Sequence, residues 1–290
     1  MRMTNQLNQK TSFVVLLFLA TTLIGSFTLS SSSIYASSDN GTNNNNNTLM
    51  EPQDSQGMAT TNATSATIIL VHGGWADGSS WGKVITTLKN AGHRVIAVQL
   101  PLHNSADDIA TVKRAIELAG GPVLLVGHSY GGFVITNAGS NNPNVTGLVY
   151  VAAFAPDEGE ALGTFVTPDN LPPGILLVDS AGLTYLNPDM FRDAFAQDVN
   201  TTEADIMAIA QKPFNQSIFT EPSGPPAWKQ LKTWYQVSDS DHMIPPDTQR
   251  MFAQRMNATT ITIDASHSSY VSHPDEIAQL ILNATQGSNG

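Results

Sequence analysis

The sequence predicts an α/β fold: a mainly parallel sheet of about six strands flanked by helices, with a helical cap inserted after the fourth strand. Three observations carry this expectation. The short apolar runs, such as Thr67–Val71 and Val123–Val126, are continuous rather than alternating, so both faces of each strand must be covered. Helical patterns fall between these runs, the arrangement that joins parallel neighbours. Finally, about seventy proline-rich residues separate two of the strands, too many for an ordinary connection.

In chain order, Thr67–Val71 is the first strand, bounded by Gly73-Gly74. Val84–Asn90 fits a helix closed by Gly92. Arg94–Val98 is the second strand. Asp107–Ala119 has helical spacing, with Ile109, Val112, Ile116 and Ala119 on one face. Val123–Val126 is the third strand and Tyr130–Ser140 the helix behind it. Gly147–Ala153, Thr233–Val237 and Thr260–Ile263 complete the sheet, and helices near Asp247–Met256 and Asp275–Asn283 follow the last two. Residues 155–228 form the cap, with helical patches at Pro188–Gln197 and Thr202–Lys212. Its many aromatic and aliphatic side chains, Phe165, Leu171, Phe191, Phe214 and Phe219 among them, give it a core of its own to bury.

The chain has 290 residues and 41% hydrophobic content, enough for one large domain, placed at residues 66–286. A formal charge of −11 with 13% charged residues argues against nucleic acid and anionic membrane as partners. There is no cysteine, which excludes disulfides and thiolate metal sites. Residues 1–36 read as an export signal: Arg2 and Lys10 precede an apolar run, and small residues lead to Ala36. Either the segment is cleaved, or residues 13–29 stay as a membrane anchor, so the expected location is secreted or extracytoplasmic. Residues 37–65 are Asn-, Thr- and Ser-rich, with too little apolar content to fold, and read as a linker.

The chemistry centres on Gly127-His128-Ser129-Tyr130-Gly131-Gly132, where a strand turns sharply into a helix. Glycines on either side of Ser129 permit a tight turn that pushes its hydroxyl to the mouth of the sheet. A serine nucleophile needs a base, and the base needs an orienting carboxylate, in loops after later strands. The loop after the fifth strand offers Asp239 and Asp241; the loop after the sixth offers His267. Gly74, at the end of the first strand, brings an N–H that can converge with that of Tyr130 on one oxyanion. Trp75 and Tyr130 are read as lining the substrate cleft, Trp81 as core, and His72 and His128 as structural rings, since neither sits where a base must.

With these residues in place the chain resembles the α/β-hydrolase superfamily. It is most similar to the compact branch of plant methyl-ester esterases, hydroxynitrile lyases and bacterial relatives. The matching stretches are Val71-His72-Gly73-Gly74-Trp75, the Ser129 turn, Tyr150-Val151-Ala152-Ala153-Phe154-Ala155-Pro156, Asp241-His242-Met243-Ile244-Pro245 and Ser266-His267-Ser268. The resemblance implies Ser129 as nucleophile, His267 as base, Asp241 as its partner, and the Gly74 and Tyr130 N–H groups as oxyanion hole. It favours Asp241 over Asp239 because Asp241 stands four residues before Pro245. Hydroxynitrile lyases of this branch carry Thr and Lys where this chain has Gly73 and Ser268, and haloalkane dehalogenases carry Asp where it has Ser129. The expected activity is therefore hydrolysis of esters or lactones of small to medium, fairly apolar substrates, with no cofactor or metal. A capped small-molecule receptor, perhydrolysis and C–C cleavage remain open at this point.

Overall fold

A computed structural model describes residues 66–167 and 171–287. The export and linker segments, 1–36 and 37–65, lie outside the described residues. The main sheet has six strands, all parallel, in the order β2-β1-β3-β4-β8-β9. They are β1 (Thr67–Val71), β2 (Val95–Ala97), β3 (Val123–His128), β4 (Val145–Val151), β8 (Thr233–Ser238) and β9 (Thr259–Ile263). Every residue of β1 and β3 is buried, as continuous apolar runs require when both faces are covered. From β1 the chain moves outward to β2 and then crosses back to β3 on the other side. The carboxyl ends of β1 and β3 therefore flank a topological switch point, where open α/β sheets place their ligands.

The covering helices follow local signals. In α2 (Ser105–Ala119) the Asn104 side chain accepts from the Asp107 N–H at 2.8 Å, and Gly120 ends the helix at φ 69°. Helix α3 (Tyr130–Ala138) lies on β3 beside α2. Helix α1 (Gly82–Asn90) packs with α8 (Pro274–Gly287), which also covers β3, β4 and β8. Helix α6 (Pro246–Arg255) packs on β8, and the short α7 (Ser269–Ser272) follows the loop after β9.

The cap lies after β4, as expected, and is more than helical. It contains α4 (Pro188–Phe195) and α5 (Thr201–Ala210), each opened by an asparagine: Asn187 accepts from the Asp189 N–H and Asn200 from the Thr202 N–H, both at 3.1 Å. It also contains a three-stranded antiparallel sheet of β5 (Leu176–Val178), β6 (Leu183–Leu186) and β7 (Phe214–Asn215). The β5–β6 hairpin turns at Gly182, φ 79°. The Trp228 Nε1–H donates to Pro156 O at 2.9 Å and ties the two ends of the cap together, while the Lys212 N–H donates to Trp75 O at 3.2 Å and fastens the cap to the chain that follows β1.

One expectation needs correction. Among the described residues no helix is long and apolar enough to cross a membrane. The anchor through residues 13–29 is withdrawn on that finding. The secreted or extracytoplasmic location, which rested on the export reading of residues 1–36, is withdrawn with it because nothing among the described residues supports it; that segment lies outside the described residues.

Candidate active site

Ser129 stands alone between β3 and α3, at φ 53° and ψ −124°, a conformation that costs a residue with a Cβ. Close packing of three backbones holds it there. A Cβ on Gly127 would lie 2.5 Å from the Gly131 carbonyl oxygen, and one on Gly131 would collide with the carbonyl oxygen of Val71. The Ser129 backbone is then pinned on both sides: its N–H donates to Val151 O at 3.2 Å, and its carbonyl accepts from Gly132 and Phe154 at 3.0 and 3.1 Å. The expected turn is present, and Ser129 is 6% exposed at the sheet mouth.

The loops after β8 and β9 meet beside it. His267 Nδ1 lies 2.7 Å from Asp241 Oδ2, with both residues buried. Asp241 Oδ1 accepts from the Met243 and Ile244 N–H groups at 2.7 and 2.9 Å, and Oδ2 also accepts from Gln249 Nε2 at 2.8 Å. An ionised carboxylate only accepts, so Nδ1 of His267 carries the proton of that pair and Nε2 is left to take one. Asp239, the other carboxylate of the loop, sits on the surface, paired with Arg250. The structure thus brings His267 to Asp241 and leaves Asp239 out.

Ser129 and His267 line one pocket of about 30 Å³ together with Gly74, Trp75, Tyr130 and Phe214. Tyr130 opens α3, so its N–H is among the first-turn donors that have no partner within the helix. The Gly74 N–H makes no hydrogen bond among the described residues. Trp75 is held at φ 57°, with its Nε1–H donating to Thr184 O at 3.2 Å. The Tyr130 phenol donates to Asp108 Oδ2 at 2.7 Å, and the Leu102 N–H donates to Asp108 Oδ1 at 2.9 Å. Burial pushes the Asp108 carboxyl up and the Tyr130 phenol well up.

His72 and His128 are buried rings away from any proton-transfer position. His72 Nδ1–H donates to Gly73 O at 2.8 Å, Nε2 accepts from the Leu100 N–H at 3.0 Å, and burial lowers its pKa to about 4. His128 Nε2 bonds to the carbonyl oxygen of His267 at 2.8 Å, and burial holds its pKa well below the usual value. Trp81 is fully buried against Tyr270, centroids 4.6 Å apart, as its reading as core expects. Sequence reasoning missed Asp108 and Gln249. Each is a polar residue on a helix, fully buried, and its only signal is its place on an otherwise apolar face. Among the described residues no group of His, Asp or Glu side chains is placed to hold a metal ion.

Residues 68–280 match the family model described as alpha/beta hydrolase. The chain belongs to the alpha/beta hydrolase family. This hydrolase is 34% identical to the carbendazim hydrolyzing esterase of Nocardioides sp. over 123 residues, 38% of this chain and 50% of that protein. It is 25% identical to polyneuridine aldehyde esterase of Rauvolfia serpentina over 249 residues, 74% of this chain and 94% of that protein. Its fold matches the crystal structure of a pyrethroid hydrolase from Sphingobium faniae with a TM-score of 0.66 at 22% identity, covering 76% of this chain and 97% of that one.

Proposed function

We propose that this hydrolase is a serine esterase or lactonase acting on small to medium, apolar carboxylic esters through an acyl-enzyme on Ser129. The observation that carries the reading is the buried His267–Asp241 contact of 2.7 Å beside a strained serine in the same pocket. In this reading His267 Nε2 takes the Ser129 proton as the hydroxyl attacks the ester carbonyl. The Gly74 and Tyr130 N–H groups receive the oxyanion, each lowering the barrier by about 3 kcal/mol because it is oriented before the charge develops. The imidazolium, stabilised by Asp241, returns the proton to the leaving alcohol. Water then enters by the same route, and His267 accepts its proton while the acid departs and Ser129 is regenerated. The aromatic walls of Trp75, Tyr130, Phe154 and Phe214 support an apolar substrate.

Hydrolysis of p-nitrophenyl acetate and butyrate by the wild type and by Ser129→Ala tests the reading. The expected result is a loss of roughly a thousandfold or more in kcat, with a fluorophosphonate probe labelling only the wild type. Equal rates in the two proteins would overturn it.

A further inference from the structure

The pocket at Ser129, at about 30 Å³, is far below the roughly 300–1,000 Å³ that small-molecule sites occupy. Beside it is a second, mainly apolar cleft of about 510 Å³. It lies in the cap, between Leu176 and Val178 of β5, Thr184 of β6, and the chain around Val166, Leu171 and Phe219. Those last three residues line both cavities, so a single layer of side chains divides them. Phe219 belongs to the aromatic wall on the Ser129 side, with centroids 5.5 Å from Phe214 and 6.4 Å from Trp75. On the outer side Val178 is 54% exposed, an apolar side chain left facing a cleft with no apolar cover.

We propose that the shared side chains of Val166, Leu171 and Phe219 swing aside on binding and join the two cavities, so that this cleft holds the larger apolar group of the substrate while the pocket at Ser129 receives the reacting carbonyl and the smaller group. The proposal rests on the esterase reading above and names its substrate class: esters with one compact side and one extended apolar side. The volumes argue for it. An alkyl chain of about eight carbons, or a fused aromatic ring, fits the second cleft and overfills the first. Among the described residues no charged side chain lines the cleft, so burial of apolar surface supplies the binding. The apolar group is carried on the acyl side or on the alcohol side, and substrate choice distinguishes the two.

Acid release at constant pH from methyl butyrate, methyl octanoate and octyl acetate separates the two cases. One of the two long esters is expected to exceed methyl butyrate in kcat/KM by about tenfold or more, and the one that does identifies the side. Val178→Trp fills the cleft from its exposed rim. It is expected to remove about tenfold from the favoured long ester and to leave methyl butyrate within about twofold. Leu176→Trp, from the same strand, is expected to repeat this, with an unchanged melting midpoint showing that the fold is intact. Long esters poorer than methyl butyrate in the wild type, or equal losses on short and long esters in both variants, would overturn the proposal. Failure to hydrolyse methyl butyrate would instead count against the esterase reading. Calorimetric binding of 1-octanol, which needs no turnover, then decides the cleft alone: weaker binding in Val178→Trp supports it, and equal binding removes it.

Discussion

At the scale of single residues, His128 does more than fill space. Its Nε2–H donates to the carbonyl oxygen of His267 at 2.8 Å, one residue before Ser129. Burial keeps the ring neutral, so this donor persists over the working pH range, while Nδ1 is left without a partner. The bond ties the backbone carrying the proposed base to the strand carrying the proposed nucleophile. A glutamine amide nitrogen falls where Nε2 lies; an asparagine amide nitrogen falls where Nδ1 lies. His128→Gln is therefore expected to keep most of kcat. His128→Asn is expected to lose about tenfold to a hundredfold in kcat with KM little changed, because misplacing a reacting group costs rate rather than affinity. Steady-state kinetics on one short ester checks this, and equal losses in both variants would show that only the ring's bulk matters.

At the scale of elements, the crossing of β1, β3 and α3 leaves no room for a side chain on its glycines. A methyl group on Gly127 has nowhere to go against the Gly131 backbone, so Gly127→Ala is expected to cost about 3 kcal/mol or more. A urea midpoint equal to the wild type's would contradict that. The crossing was legible in the sequence because both strands announce themselves as unbroken apolar runs and the glycines punctuate the turn. The cap's small sheet was not. Two of the three residues of β5 are exposed, and β7 is two residues long, so neither shows a burial pattern; pairing with β6 makes them strands. The loop after β8 set a different limit. Asp239 and Asp241 are near neighbours of one type, and what separates them is two backbone N–H groups, from Met243 and Ile244, aimed at one carboxylate. Residue types alone left that choice open; only the resemblance favoured Asp241.

At the scale of the whole molecule, two buried neutral imidazoles make stability depend on acid. In the unfolded chain each ring takes a proton as pH falls through about 6.5; in the folded protein His72 does so only near 4, and His128 is likewise held well down. Across that window the unfolded state binds more protons, so stability rises with pH and is lost on acidification. His72 alone accounts for about 3 kcal/mol lost on reaching pH 4. Urea midpoints measured from neutral pH downward are expected to fall steeply below about 6.5, and a flat profile would show that the rings are not held neutral.

The sheet order has one more consequence. Strand β9, which leads to His267, lies at the rim and within the sheet pairs only with β8. With His267 as the proposed base, peeling that single strand away disarms the molecule while β2, β1, β3, β4 and β8 stay paired. Partial unzipping from that side would therefore silence turnover before any loss of bulk helicity, making the reaction itself an early reporter of damage.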